Sequence, residues 1–140
     1  FRYASKQHLF VFKQLNLGNQ GEAPIIASNW FISSEIGNPI VTLTRDLLYA
    51  YWKDYDYAIN YFIFHLFFAM ACRRYRNEWE SIPAFNNSSP HMLMFELKND
   101  YSAERWEQIT KMSGIHKLQR YDDYSDLKKS NYCKILDTYL

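Results

Sequence analysis

The chain has no apolar run long enough to cross a bilayer, no cysteine pair at metal-ligand spacing, and no surplus of either charge. Its most apolar stretch, Tyr57 to Cys72, is interrupted by Asn60 and His65, whereas a spanning helix needs about 20 apolar residues. With 16 basic and 15 acidic residues the net charge is +1, which excludes the broad positive footprint of a nucleic-acid binder. Cys72 and Cys133 lie far apart, and Cys72 sits in an apolar run as a buried thiol would, which fits a reducing compartment. The segment from Phe1 to Phe12 carries charge and lacks a small-residue cleavage site, so it does not read as a signal peptide. There is no internal repeat or low-complexity tract. The first residue is Phe1 rather than Met, and the expectation is a fragment or a truncated reading frame.

What the chain has in excess is aromatic side chains: 12 Tyr, 10 Phe and 4 Trp, or 19% of the residues. Such content builds a thick core, and it also builds pockets for ring-shaped ligands such as sugars. A length of 140 residues suffices for one domain with its own core, not two. Arg73, Arg74 and Arg76 form the one basic cluster, read as a solvated helix end or as a contact for phosphate or a membrane surface.

The expected elements follow from periodicity and caps. Leu9-Phe10-Val11-Phe12 is a β-prone run, residues 16–23 are a glycine-containing loop, and 25–36 are short helix or irregular. Asn38-Pro39 opens a helix, with Asn38 as cap and Pro39 in the first turn. Ile40, Leu43, Leu47 and Tyr51 then mark one face as far as about Lys53. A second helix is expected from about Asp56 to Glu78, with Ile59, Ile63, Leu66 and Met70 as its packed stripe. Residues 81–90 read as loop and 92–97 as a short helix or strand. Asp100 or Ser102 caps a helix carrying Trp106 and Ile109, which Gly114 ends. Ile115 to Tyr121 reads as a strand, and the tail from Ser125 as a weakly amphipathic helix.

Several polar motifs punctuate these elements in a fixed order: Ser28-Asn29-Trp30-Phe31, Asn38-Pro39, Tyr51-Trp52-Lys53, Asn60-Tyr61-Phe62-Ile63-Phe64-His65, Ile82-Pro83 with Asn86-Asn87, Pro90-His91, and Ile115-His116-Lys117-Leu118. In that order and spacing they resemble the capsular polysaccharide synthesis proteins, a bacterial family of sugar transferases, over about Ala27 to Tyr121. The resemblance implies an α/β fold of GT-A type, mostly helical in this chain, of which the chain is the C-terminal, acceptor-side part. It implies transfer of a sugar from a nucleotide sugar to a glycan acceptor, with Mn²⁺ or Mg²⁺ as cofactor where an Asp-x-Asp pair is present. It also implies a cytoplasmic location, with peripheral contact at the inner face of the cell membrane.

The Asp-x-Asp pair belongs upstream of Ser28, where nothing fits. Asp54-Tyr55-Asp56 matches in letters but lies between two expected helices, so it reads as a helix end and an N-cap; Asp122-Asp123 reads as a turn and cap. By resemblance His116 is the metal ligand and Lys117 the diphosphate contact. An imidazole can ligate a metal while an ammonium pairs with phosphate oxygens, and both stabilise a departing nucleoside diphosphate. A solvent-facing histidine beside a surface lysine is the plain alternative. Asn60 stands where the family more often has an acid; Asn hydrogen-bonds a hydroxyl but cannot serve as a base. His65 is either a core histidine or a catalyst, and His91 either binds acceptor or holds a loop. Asn29 and Trp30, with Asn86 and Asn87, are candidates for sugar binding, Trp30 being also a core candidate. Two further readings stand beside transfer: a truncated or degenerate, non-catalytic chain with a binding role, and a small membrane-associated helical protein.

Overall fold

The computed structural model describes residues 3–15, 25–119 and 128–139. The chain divides into two compact units, Phe1–Asn87 and Ser88–Leu140. The described structure is mostly helical with one two-stranded sheet.

In the first unit, a 3₁₀ turn (Ala4–Lys6) leads into β1 (Leu9–Phe10), which pairs antiparallel with β2 (Ser33–Ser34) in the register Leu9 to Ser34 and Phe10 to Ser33. The extended backbone continues past β1 and is bonded on two sides. The Ser28 amide donates to the Phe12 carbonyl at 2.9 Å, while Gln14 donates to Phe85 and accepts from Asn87 at 3.0 and 3.1 Å. Leu9 and Val11 belong to the core, which also takes Ala27, Ile40, Phe68, Ala71, Cys72 and Ile82.

Helix α1 (Pro39–Asp54) begins as its sequence predicts. The Asn38 side chain accepts from the amides of Ile40 and Val41, and Pro39 costs nothing at a position that needs no amide. It packs along α2 (Ile63–Arg74). The second helix starts seven residues later than expected from Asp56, and the local chemistry explains it. The Tyr51 hydroxyl donates to the Tyr57 carbonyl at 2.6 Å and accepts from the Ile59 amide, tying 57–59 down as a loop. Asn60 then turns the chain, its side-chain oxygen accepting from the Phe62 amide at 2.7 Å. Asp56 is therefore not an N-cap, although Asp54 does end α1.

The packed face of α2 also differs from the expected stripe. Of that stripe Ile63 is buried and Leu66 half-buried, but Ile59 and Met70 are exposed, and His65, Phe68, Ala69, Ala71 and Cys72 are the other buried positions. In a helix apolar nearly all round, hydrophobicity does not choose the face; the tertiary partner does. Tyr75, at φ −113° and ψ 54°, breaks the expected single helix and α3 (Arg76–Ser81) follows.

In the second unit, α4 (Ser88–Phe95) occupies part of what reads as loop in the sequence. Helix α5 (Ala103–Met112) is capped by Ser102, and it stops at Met112 with Ser113 as C-cap, just before Gly114. Leu93, Leu97 and Ile109 form the core, with Met92, Trp106, Tyr132 and Ile135 packed on it. Residues 115–119 are irregular, which corrects the expected strand; Arg120 and Tyr121 lie outside the described residues, as do 16–24 and Asp122-Asp123. Helix α6 (Asn131–Tyr139) is tied to the turn after α4, where the amides of Asn131 and Tyr132 donate to Asn99 and Leu97. Among the described residues no helix is long and apolar enough to cross a membrane.

Candidate functional site

Two of the sequence motifs meet in the first unit. The extended segment through Phe12 and Gln14 takes Ser28 on one side and residues 85–87 on the other, so chain segments almost sixty residues apart become neighbours. Asn87 is buried, and its side-chain nitrogen donates to the Ser28 hydroxyl at 3.5 Å. Trp30 is half-buried and stacks on Phe12, with ring centroids 5.1 Å apart and 15° between planes. Asn29 and Asn86 are exposed. The extended segment thus carries Trp30 stacked on Phe12 and, two residues on, Asn86 bridged to Gln14. Carboxamides donate and accept at once, which is what a ring of sugar hydroxyls requires.

The proposed catalytic residues of this unit sit differently. Asn60 is exposed, and its oxygen is committed to the turn that starts α2. His65 is buried between Phe62 and Phe64, and its Nδ1 has no hydrogen-bond partner among the described residues. Burial holds its pKa below the ordinary imidazole value, because the charged form would be desolvated. It is a neutral core histidine of α2.

The second unit gathers the other three candidates. His91 is buried on α4, in a helix rather than the expected loop, beside the Phe95 ring. The Lys117 amide donates to the Pro90 carbonyl at 2.8 Å, which fastens the 115–119 segment to the first turn of α4. The Lys117 ammonium lies 3.4 Å from the Met94 sulfur, a weak acceptor that leaves most of its donor capacity uncommitted among the described residues. His116 is half-buried, and its Nδ1 is enclosed without a partner among the described residues. A buried imidazole nitrogen lacking a partner is uncommon, and His65 Nδ1 is the other such imidazole atom among the described residues. Glu96, in the turn after α4, is gripped by the forked guanidinium of Arg105.

The family model for capsular polysaccharide synthesis proteins matches residues 1–136. The chain belongs to that family. The match runs well beyond the motif series between Ala27 and Tyr121, taking in β1 and most of α6. Membership gives the chain a role in capsule biosynthesis. No curated protein matches the chain, and no solved structure does.

For a capsular polysaccharide synthesis protein the metal question is specific. Among the described residues no three His, Cys, Asp or Glu side chains stand close enough together to hold a metal ion. His116 fits one nitrogen ligand, but the described residues do not make a complete divalent-cation site, and no chemical step is derived through one.

Two arrangements have no counterpart in the motif series. Lys13 is half-buried, and its ammonium donates to the carbonyls of Trp79 and Ile82 at 2.8 and 3.1 Å while lying 4.3 Å from the Trp79 ring centre. Burial lowers its pKa from the usual lysine value. A single lysine in a β-prone run carries no signal of such a role, which depends on where α3 ends. His8 forms an exposed ion pair with Glu35 at 2.7 Å, and that carboxylate raises its pKa through both hydrogen bond and charge.

Proposed function

We propose that the chain acts in glycosyl transfer for capsule assembly, taking a sugar from a nucleotide sugar to a glycan acceptor. The observation that carries this reading is the His116-Lys117 pair fastened to α4 beside His91, where, among the described residues, an imidazole nitrogen is enclosed and unpartnered and an ammonium meets a thioether. In this reading Lys117 pairs with the diphosphate of the donor and stabilises the charge that develops as the nucleoside diphosphate departs. A divalent cation enters only with an Asp-x-Asp pair from sequence outside this chain, in a GT-A arrangement, with His116 as the nitrogen ligand. His91, buried on the same helix, positions the neighbouring segment. Asn29, Trp30, Asn86 and Asn87 supply the hydrogen bonds and stacking surface for a sugar. Asn60, bound into its turn, and His65, sealed in the core, have no part in the chemistry. The donor would be met in the cytoplasm, at the inner face of the membrane.

Calorimetric titration of the full protein with UDP and GDP, with and without Mn²⁺, tests the assignment. Lys117→Ala is expected to weaken binding roughly tenfold, the loss of one charge-assisted hydrogen bond. His116→Ala is expected to abolish only the Mn²⁺-dependent part. Equal affinities for the parent and Lys117→Ala would remove Lys117 from the site. Complete absence of nucleotide binding would favour a non-catalytic chain.

A further inference from the structure

The break at Tyr75 separates α2 from α3 and leaves Arg73 on the last turn of one helix and Arg76 on the first turn of the next. Both line the same cavity, of about 390 Å³, together with Trp79, Glu80, Cys72 and Ile26. That volume falls in the range of small-molecule sites, roughly 300–1,000 Å³, and far exceeds what a lone phosphate ion fills. Its charge is lopsided. Arg76 is partly neutralised by Glu80 at 2.6 Å, whereas Arg73 has no ion pair or hydrogen bond among the described residues. The Lys13 ammonium stands over the Trp79 indole and adds a third cation at this end of the unit. The wall is mixed: an indole and aliphatic side chains on one part, guanidinium groups on another.

We propose that this cavity binds a small ring-bearing phosphate ester, its phosphate held by Arg73 and Arg76 and its ring body against the Trp79 wall. Guanidinium forks match phosphate oxygens in pairs, and an aromatic wall suits the face of a sugar or base. The concave shape and the indole favour a soluble ester over a lipid headgroup on a flat membrane, although both present the same phosphate chemistry. The site shares no residue with His116 and Lys117 and goes beyond the transfer reading, so either can fail without the other.

The test is calorimetric titration of the full protein with glucose 1-phosphate, glucose, and vesicles of phosphatidylglycerol, in low salt and without metal. Glucose 1-phosphate is expected to bind and glucose not to bind. Arg73→Gln is expected to weaken binding at least about tenfold and Arg73→Lys by less. Arg73 is exposed, so its substitution leaves the core intact, and unchanged circular dichroism checks this. The proposal is overturned if millimolar glucose 1-phosphate gives no binding, if glucose binds as tightly as its phosphate, or if Arg73→Gln binds as the parent does. Binding to vesicles that needs Arg73, without binding of the soluble ester, would overturn it in favour of a lipid surface.

Discussion

Asn38 carries more structure than its size suggests, and replacing it measures how the first unit is joined. Its side-chain oxygen accepts from the amides of Ile40 and Val41 at 3.1 and 3.2 Å, capping α1. Its side-chain nitrogen donates to the His8 carbonyl at 3.3 Å, thirty residues away, and reaches Glu78 only at 3.5 Å. The residue is 2% exposed, so water does not replace these partners when they are removed. Loss of a cap costs about 1 kcal/mol. Loss of the part-buried tether to the His8 carbonyl, which still accepts from the Glu35 amide, costs about 1 kcal/mol more, and the long Glu78 contact adds little. Asn38→Ala is therefore expected to destabilise by about 2 kcal/mol, lowering the urea midpoint by about 1 M at a typical slope. Asn38→Ser keeps a capping oxygen but cannot reach His8, so it is expected to recover about half. Equilibrium urea unfolding followed by tryptophan fluorescence reads both variants. A cost below about 0.5 kcal/mol for the alanine variant, or no difference between serine and alanine, would refute the division into cap and tether.

His65 is held neutral by burial, so its folded pKa lies below the value near 6.5 of the unfolded chain. The unfolded state then takes up more protons as pH falls, and stability is full above about 6.5 and declines below it. The urea midpoint is expected to drop between pH 7 and 5.5, and His65→Leu to flatten that drop; parallel profiles would contradict the assignment. The His8–Glu35 pair has the opposite sign, stabilising at low pH, but it is fully exposed and screened. Burial pushes the Cys72 thiol up to about 12, against a smaller opposing pull from Lys13. A thiol reagent at pH 8 is expected to label Cys133 in the native protein and Cys72 only after unfolding; equal native rates would show that the α2 face is open.

Local chemistry was legible in the sequence wherever a residue acts on its own neighbours. Asn38-Pro39 starts α1 and Ser102 starts α5, because a capping oxygen or a fixed φ works within three residues. The same holds for the burial of Cys72 in an apolar run. The family resemblance was legible too, since it rests on ordered motifs rather than on contacts. Illegible were the features that depend on a distant partner. Tyr51 was expected on a packing stripe, but its hydroxyl reaches forward to hold 57–59 and delays α2. The run from Phe62 to Phe68 offered several apolar faces, and only the position of α1 and the core selected the one with His65.

The amino-acid order alone determined the family, the helix starts with caps, and the near-neutral, aromatic character of the chain, because each is carried by composition or by residues close in sequence. Tertiary structure decided which polar residues meet: Asn87 with Ser28, the 115–119 segment with Pro90, and Arg73 with Arg76 around one cavity. Those meetings are set by long-range hydrogen bonds and by the break at Tyr75, neither of which leaves a periodic trace along the chain.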